Sequence, residues 1–352
     1  MKITQRPFGK TKNGEDTTLY TITNNNGMKI SVTDFGANIV SIIVPDREGD
    51  FADVVLGYEN IQGYENNRVG FGSLIGRYAN RIAGASFVLN GKVYNLQKNE
   101  GENTLHSGEP GYHKVMYETD IFEEEDMISV EFSRLSPDNE QGFPGNLDIT
   151  VTYSLTEDNE LIIEYHAVSD KDTMVNMTNH SYFNLSGHNS GNILDHKVWI
   201  KSNKFTPTND KLIPTGELWD VEGTPMDFRT LKRIGDNIDD DYKPLIQAGG
   251  YDHNYVLDNN RDEISKVAEL VDEVSGRVME VFTDKPGLQF YTSNMLTSVE
   301  NGKDGAVYGI RAGVCFETQH FPNACNTKNF PSSVLKAGQD YEYVTIYKFS
   351  TR

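Results

Sequence analysis

Apolar and polar side chains alternate with a period of two along much of the chain, which is the pattern of a strand with one buried face. The clearest case is a pair of segments at 149–156 and 161–167, which lie on either side of a polar turn at 157–160. We expect these two segments to form a β-hairpin. Further strands are predicted where β-branched and aromatic residues concentrate, at 28–33, 128–132, 197–201, 277–282 and 343–349.

Helical periodicity is scarce, and only 61–64 and 231–234 suggest short helical turns. Asn90-Gly91 supplies two residues that tolerate positive φ, and this pair predicts a second tight hairpin. No internal repeat, low-complexity tract or Pro/Ser-rich linker divides the chain. The pattern therefore predicts an all-β protein with few short helices, in which residues 1–352 form one large antiparallel β-sandwich domain.

The charge of the chain narrows the choice of partner. The sequence has 52 Asp+Glu against 32 Lys+Arg, a formal net charge of -20 at pH 7. An acidic surface repels phosphate backbones and anionic lipid, so we expect neither nucleic acid nor a membrane as partner.

The first residues lack the apolar core of a signal peptide, and Cys315 and Cys325 are the two cysteines of the sequence. A bridge between them stays open, but a reduced, cytoplasmic setting is the expectation.

The standard sequence templates for cofactors and metals fail. The glycine-rich stretch 70–76 misses the dinucleotide-binding spacing by one residue and follows no βαβ pattern. The eight histidines lack zinc-like spacing, and the acidic run 236–241 lacks the glycine that a calcium loop needs at its sixth position. We therefore expect no metal and no cofactor, and the acidic run is interpreted as a solvated loop.

Several polar islands interrupt the apolar alternation. They lie around Asn80-Arg81 and His106, and within 176–185, 250–255 and 315–323. Together they hold the Asn, His, Asp, Arg and aromatic groups that suit a neutral polyhydroxyl ligand with an apolar ring face. A glutamate and a histidine in one site could also divide the roles of base and acid, with the carboxylate resting ionised and the imidazole held protonated.

Each of these residues also has a structural explanation. His106 could be a hydrogen-bonding residue of a loop, His180 a satisfied histidine of the core, and Asp252 an ordinary turn residue beside glycine. Glu317 has apolar neighbours, and burying a carboxylate is costly, which favours a function for it. Spacing alone does not show whether Glu317 and His180 meet.

Taken in order, the islands closely resemble the aldose 1-epimerase family, the galactose mutarotases. The resemblance spans nearly the whole chain and rests on these stretches: 76–82 (GRYANRI), 103–106 (NTLH), 178–185 (TNHSYFNL), 250–253 (GYDH), 288–292 (LQFYT), 316–322 (FETQHFP) and 329–338 (NFPSSVLKAG). Ser107 is a departure, because many members have a glycine there.

The resemblance implies a galactose mutarotase-like supersandwich that interconverts the α and β anomers of free aldohexoses such as galactose and glucose. It implies that Glu317 is the general base at the C1 hydroxyl and His180 the general acid at the ring oxygen. The implied sugar contacts are Asn80, Arg81, His106, Tyr182, Asp252 and Gln289. If these roles hold, activity should fall at acid pH as Glu317 is protonated and at alkaline pH as His180 loses its proton.

Two rival functions stay open. A hexose-6-phosphate 1-epimerase would need basic residues to hold a dianion, and only Arg77 and Arg81 cluster near the islands. A non-catalytic sugar-binding protein of the same fold would need neither an acid nor a base. We expect a monomer or a homodimer.

Overall fold

The computed structural model describes residues 1–258 and 263–352. Its strands are as follows: β1 Lys2–Lys10, β2 Asp16–Thr23, β3 Lys29–Thr33, β4 Asn38–Pro45, β5 Phe51–Asp53, β6 Ser73–Ile75, β7 Arg81–Ile82, β8 Ser86–Leu89, β9 Lys92–Asn95, β10 Thr104–Leu105, β11 Glu118–Glu123, β12 Met127–Ser136, β13 Leu147–Thr156, β14 Glu160–Ser169, β15 Thr173–Met174, β16 Thr178–His180, β17 Lys197–Ile200, β18 Lys204–Phe205, β19 Trp219–Asp220, β20 Lys232–Arg233, β21 Asp252–Val256, β22 Ser265–Val271, β23 Arg277–Thr283, β24 Gly287–Tyr291, β25 Cys315–Gln319, β26 Val334–Leu335 and β27 Asp340–Thr351. The α-helices are α1 Ile61–Glu65 and α2 Lys243–Ala248.

Three large sheets carry the architecture. One has nine strands in the order β11-β12-β13-β14-β27-β23-β22-β17-β20, and two have five strands each, β1-β2-β3-β4-β5 and β19-β18-β21-β24-β25. Neighbouring strands in all three are antiparallel. The predicted antiparallel β-sandwich is therefore confirmed.

The hairpin predicted from alternation is the centre of the nine-stranded sheet. β13 and β14 pair so that Val151 faces Tyr165 and Tyr153 faces Ile163, and all four side chains are buried in the apolar core. Since cross-strand neighbours share a face, one period-two pattern on two strands produces one continuous apolar surface. The other predicted strands are also present, with boundaries that differ from the prediction by up to four residues.

The nine-stranded sheet packs against the five-stranded sheet that ends in β25. Phe316 of β25 lies in the same apolar core as the hairpin, and the hydroxyl of Tyr347 in β27 donates a 3.0 Å hydrogen bond to the Phe316 carbonyl. Because side chains alternate across a strand, burying Phe316 directs Cys315 and Glu317 to the opposite face of β25. That opposite face lies beside the cleft described below.

The short elements agree with prediction in two of three cases. Asn90 and Gly91 have φ of 51° and 76° and close the β8–β9 hairpin, and residues 61–65 form α1. The helical turn predicted at 231–234 is wrong. Lys232 and Arg233 instead pair with Val198 and Lys197 at the sheet edge, so ladder hydrogen bonds replace those of a helix.

The helix that sequence reasoning missed is α2. Pro244 lies in its first turn and Gly249, at φ 65°, caps its end, which are the usual signals for a short helix. Within the described residues no helix is both long and apolar enough to cross a membrane.

Candidate active site

The floor of the candidate site is one face of the sheet that contains β21, β24 and β25. Asp252 lies opposite Tyr291, Gln289 lies opposite Glu317, and Tyr291 lies opposite Cys315 in the strand register. Residues opposite each other share a face of the sheet. The pairing of three strands therefore gathers these five polar side chains from distant parts of the sequence.

A short strand adds His180 to this floor. β16 pairs with β6, packs beside β25, and places Nε2 of His180 3.5 Å from Oε1 of Glu317. Both side chains are buried, at 7% and 3% exposure. The histidine and the glutamate that the sequence nominated separately thus form a direct pair in the structure.

Asn80, Arg81 and His106 form one wall through the pairing of β7 with β10. His106 and Asn80 are joined twice: the His106 N–H donates to the Asn80 carbonyl, and the Asn80 N–H donates to Nδ1 of His106, both at 3.1 Å. Both residues have positive φ, 62° for Asn80 and 51° for His106. Such a conformation costs of order 1 kcal/mol for a residue other than glycine, and the reciprocal hydrogen bonds hold it in place.

Ser107, the departure from the family pattern, has a local structural explanation. Its φ is 67°, a value that favours glycine. Its hydroxyl accepts a 2.7 Å hydrogen bond from the Tyr78 N–H and donates a 3.0 Å bond to the Tyr78 carbonyl. The serine therefore joins the segment before Asn80 to the His106 turn, which a glycine has no side chain to do.

These walls enclose a cavity of ≈ 340 Å³. Seven of the eight residues nominated from sequence line it: Asn80, Arg81, His106, His180, Tyr182, Asp252 and Glu317. The eighth, Gln289, lies behind the lining and donates a 2.6 Å hydrogen bond from Nε2 to Oδ1 of Asp252. Its Oε1 also accepts a 3.4 Å hydrogen bond from Nε2 of Gln319, so its side-chain contacts lie behind the residues that line the cavity.

Tyr182 contributes its ring more than its hydroxyl. The hydroxyl donates a 2.7 Å hydrogen bond to the Val69 carbonyl, so its proton is already committed. The ring centroid lies 5.1 Å from that of His180, with the planes 30° apart. Tyr182 therefore covers one face of the imidazole, and its oxygen remains able to accept a hydrogen bond.

Sequence reasoning missed several residues at the site. Tyr291 and His113 line the cavity, and Glu100 holds Arg81 from outside it. The alternation of β24 could have revealed Tyr291, because it lies two positions from Gln289 on the same face. Glu100 lies in a turn and His113 in a one-turn 3-10 helix, Tyr112–Lys114, and the positions of both depend on contacts that no sequence period encodes.

Burial reverses the resting protonation states expected from sequence. Desolvation lowers the pKa of His180 to about 4, which makes the imidazole neutral near pH 7. Desolvation, with the negative charge of Asp252 adding to it, raises the pKa of Glu317 well above its usual range, while Arg81 acts in the opposite direction. Burial therefore favours the arrangement with the proton on Glu317 over the one with the proton on His180.

His106 also remains neutral, because burial and then the nearby His180 lower its pKa. Its Nδ1 accepts the Asn80 N–H, so the neutral ring carries its own proton on Nε2. Ligand atoms of His106, His180 and Glu317 do lie within 4.8 Å of one another, as around a metal ion. With Nδ1 occupied and Nε2 protonated, however, His106 is a hydrogen-bond donor and would have to lose the Asn80 contact to bind a metal.

The fold and this site define an antiparallel β-sandwich protein with a buried histidine–carboxylate pair in a polar cleft. The sequence profile of the family described as aldose 1-epimerase matches residues 18–348. The chain belongs to the aldose 1-epimerase family, as the sequence motifs predicted.

Known relatives and a solved structure are similar to this chain over nearly its full length. Galactose mutarotase of Bos taurus is 40% identical over 350 residues, 99% of each chain, and aldose 1-epimerase of Escherichia coli (strain K12) is 35% identical over 340 residues, 96% of each chain. The crystal structure of galactose 1-epimerase from Lactobacillus acidophilus NCFM is 25% identical, covers 99% of both chains and has a TM-score of 0.88. Similarity therefore extends across all three large sheets and the cleft.

Proposed function

We propose that this protein is an aldose 1-epimerase, an isomerase that interconverts the α and β anomers of free aldohexoses such as galactose and glucose. Family membership and the names of the relatives support this activity. The observation that carries the proposal is the buried His180–Glu317 pair, 3.5 Å apart at the floor of the cavity.

The spacing of the pair suits the reaction. The C1 hydroxyl oxygen and the ring oxygen of a pyranose are bonded to the same carbon, so only two groups that are themselves close together can reach both. In ring opening, Glu317 takes the proton of the C1 hydroxyl, the bond from C1 to the ring oxygen breaks, and Nε2 of His180 protonates that oxygen. Rotation about the C1–C2 bond and the reverse proton transfers then give the other anomer.

The same scheme accounts for the resting state. Ring opening starts from an ionised Glu317 and a protonated His180, and it ends with Glu317 protonated and His180 neutral. Both forms hold the same number of protons and differ only in whether the exchangeable proton lies on Glu317 or on Nε2 of His180. They are therefore two arrangements of one coupled pair. Burial favours the second arrangement, while the positive charge of Arg81 favours the first by stabilising the Glu317 carboxylate. The starting form is thus a minor form that Arg81 makes accessible.

The other cavity residues suit sugar hydroxyls. His106 offers a fixed Nε2 donor, Asp252 offers carboxylate oxygens, and Arg81 keeps its charge because the carboxylates of Asp252 and Glu100 raise its pKa against the effect of burial. Asn80 lines the same wall. We assign Gln289 to holding Asp252, as its 2.6 Å hydrogen bond supports.

A sugar phosphate suits the cleft less well. Arg77, one of the two arginines near the islands, is fully buried and donates to the carbonyls of Pro144 and Gly145, away from the cavity lining. Arg81 is engaged by Glu100 and Asp252. Arg68 lines the cavity and is the residue that would favour a phosphate. A non-catalytic binding protein would have no use for a carboxyl group that is costly to bury.

Several broader expectations remain proposals. The largest apolar core takes residues from all three large sheets, which supports a single domain. Cys315 and Cys325 are free thiols, which supports a reducing, cytoplasmic setting. We retain a monomer or homodimer as the expected assembly, without nucleic-acid or membrane partners.

Polarimetry of freshly dissolved α-D-galactose and α-D-glucose tests the proposal directly. Wild-type protein should accelerate mutarotation, and Glu317→Gln and His180→Asn should each lower kcat by about two to four orders of magnitude because each removes one positioned proton transfer. Sugar binding, measured by calorimetry, should survive in both variants. Near-normal rates in either variant would contradict the roles, binding without catalysis in wild type would favour the sugar-binding alternative, and activity restricted to glucose 6-phosphate would favour the phosphate alternative.

A further inference from the structure

Both ring nitrogens of His180 contact side chains of the same strand, β25. Nε2 lies 3.5 Å from Oε1 of Glu317, and Nδ1 lies 3.6 Å from the sulfur of Cys315. Cys315 and Glu317 are two positions apart in β25, so they project from the same face and reach opposite edges of the imidazole. The strand that supplies the carboxyl group therefore also supplies the contact behind the histidine.

We propose that Cys315 is a positioning residue whose sulfur accepts a hydrogen bond from the Nδ1 proton of His180 and thereby keeps Nε2 as the nitrogen that exchanges protons. This inference rests on the proposed function and extends it by one residue. Cys315 is not among the residues that line the cavity.

The chemistry of the sulfur suits this role. Cys315 is fully buried, and burial raises the pKa of its thiol well above the usual range, so it remains a neutral thiol. A neutral sulfur is a weak acceptor, which can select a tautomer without stabilising the imidazolium as strongly as a carboxylate would. The ring of His180 also donates to its own backbone, which acts against burial by raising its pKa. We therefore expect the thiol to provide only part of the hydrogen bonding that orients the His180 ring.

Glu317, His180 and Cys315 form a continuous chain of contacts. With a proton on Oε1 of Glu317 and one on Nδ1 of His180, the first lies toward Nε2 and the second lies toward the sulfur of Cys315. A proton on Nε2 of neutral His180 would instead point at a protonated carboxyl group and leave Nδ1 without its donor role. The Nδ1–H tautomer therefore pairs both ring nitrogens of His180 at the same time.

The closest competing explanation is that the cysteine is only a small core residue. Cys315 does pack in the apolar cluster that includes Phe71 and Tyr182. A packing role predicts that Cys315→Ala changes stability alone. A positioning role predicts a change in the histidine itself, and this difference can be measured.

The test combines kinetics with nitrogen NMR of protein labelled with ¹⁵N-histidine at pH 7, using Cys315→Ala, Cys315→Ser and wild type. Wild-type His180 should show the Nδ1–H tautomer, and Cys315→Ala should move its signals toward a mixture of tautomers. Loss of one weak hydrogen bond should lower kcat by about threefold to tenfold, with KM nearly unchanged. Cys315→Ser keeps an acceptor and should fall between the two.

Cys325→Ala is the matched control, because the other cysteine lies by Tyr78 and should leave both the spectrum and kcat unchanged. An Nε2–H tautomer in wild type, or a Cys315→Ala protein with the wild-type spectrum and kcat, would overturn the proposal. The expected spectra in a protein without mutarotase activity would overturn the proposed function while supporting the sulfur contact, so the two failures are distinct.

Discussion

Arg81 and Glu100 are joined by two hydrogen bonds of 2.7 Å, from Nε and Nη2 of the guanidinium group to the two carboxylate oxygens. The remaining nitrogen, Nη1, lies 3.7 Å from Oδ2 of Asp252. The Glu100 carboxylate therefore fixes the plane of the guanidinium from outside the cavity. The Asp252 carboxylate contacts the same guanidinium from inside the cavity. This geometry makes Glu100 part of the site although it lies outside the residues that line it.

We expect Glu100→Gln to weaken sugar binding more than catalysis. The amide keeps one acceptor but loses the charge and the two-point geometry, which allows Arg81 to turn away. Because Glu100 is one-third exposed, the pair contributes about 1 kcal/mol, and KM should rise about fivefold with kcat nearly constant. Steady-state kinetics on galactose and glucose measure this effect.

Glu102→Gln is the matched control. Glu102 lies in the same turn and pairs with Lys98, but both side chains are more than half exposed and neither lines the cavity. Its KM should therefore equal that of wild type. Equal KM values for the two variants would mean that Glu100 does not act through Arg81.

Alternation along the chain was enough to predict the sandwich and its central hairpin, because a buried face requires apolar residues at every second position of β13 and β14. Glu317 was nominated from its apolar neighbours and its motif, and the structure places it in β25. Glu100 could not be found in this way, since its role comes from a loop that meets Arg81 across a turn. Gln289 was nominated by its motif, and a motif does not distinguish a residue that lines the cavity from one that lies behind the lining and holds Asp252.

The pH profile should follow the reversed protonation states. As the pH falls, the pair gains a second proton, which binds His180 near its pKa of about 4. As the pH rises, the pair loses its one exchangeable proton, which comes from Glu317, whose pKa is raised by burial. We expect kcat/KM to be level between these limits and to fall on either side. The acid limb then belongs to His180 and the alkaline limb to Glu317, opposite to the assignment that sequence alone suggests.

Asp252→Asn tests the direction of these shifts. The Asp252 charge raises the pKa of Glu317 and also the pKa of His180, so its removal should move both limbs of the profile to lower pH. Polarimetric kcat/KM corrected for the spontaneous rate would show this even if overall activity is reduced. Asp16→Asn, at an exposed position, is the control. A profile that stays in place or moves to higher pH would mean that the Asp252 charge does not raise these two pKa values.

Stability should depend on pH through a histidine remote from the cleft. His196 is buried, its Nε2 accepts a 2.9 Å hydrogen bond from the Leu185 N–H, and desolvation lowers its pKa to about 4. Between the unfolded pKa of about 6.5 and the folded value, the unfolded chain binds one more proton at this site. The contribution of His196 to stability is therefore complete above pH 6.5 and is lost as the pH falls toward 4.

His196→Gln keeps an acceptor near Nε2 but removes this titration. The variant should be less stable than wild type at pH 7, and its deficit in unfolding free energy should be about 2 kcal/mol smaller at pH 5, since wild type alone loses stability over that interval. Urea unfolding at both pH values measures the difference. His166→Gln is the control for loss of a histidine at a half-exposed position. A deficit for His196→Gln that is equal at the two pH values, or larger at pH 5, would mean that His196 is protonated in the folded protein and that burial does not set its charge.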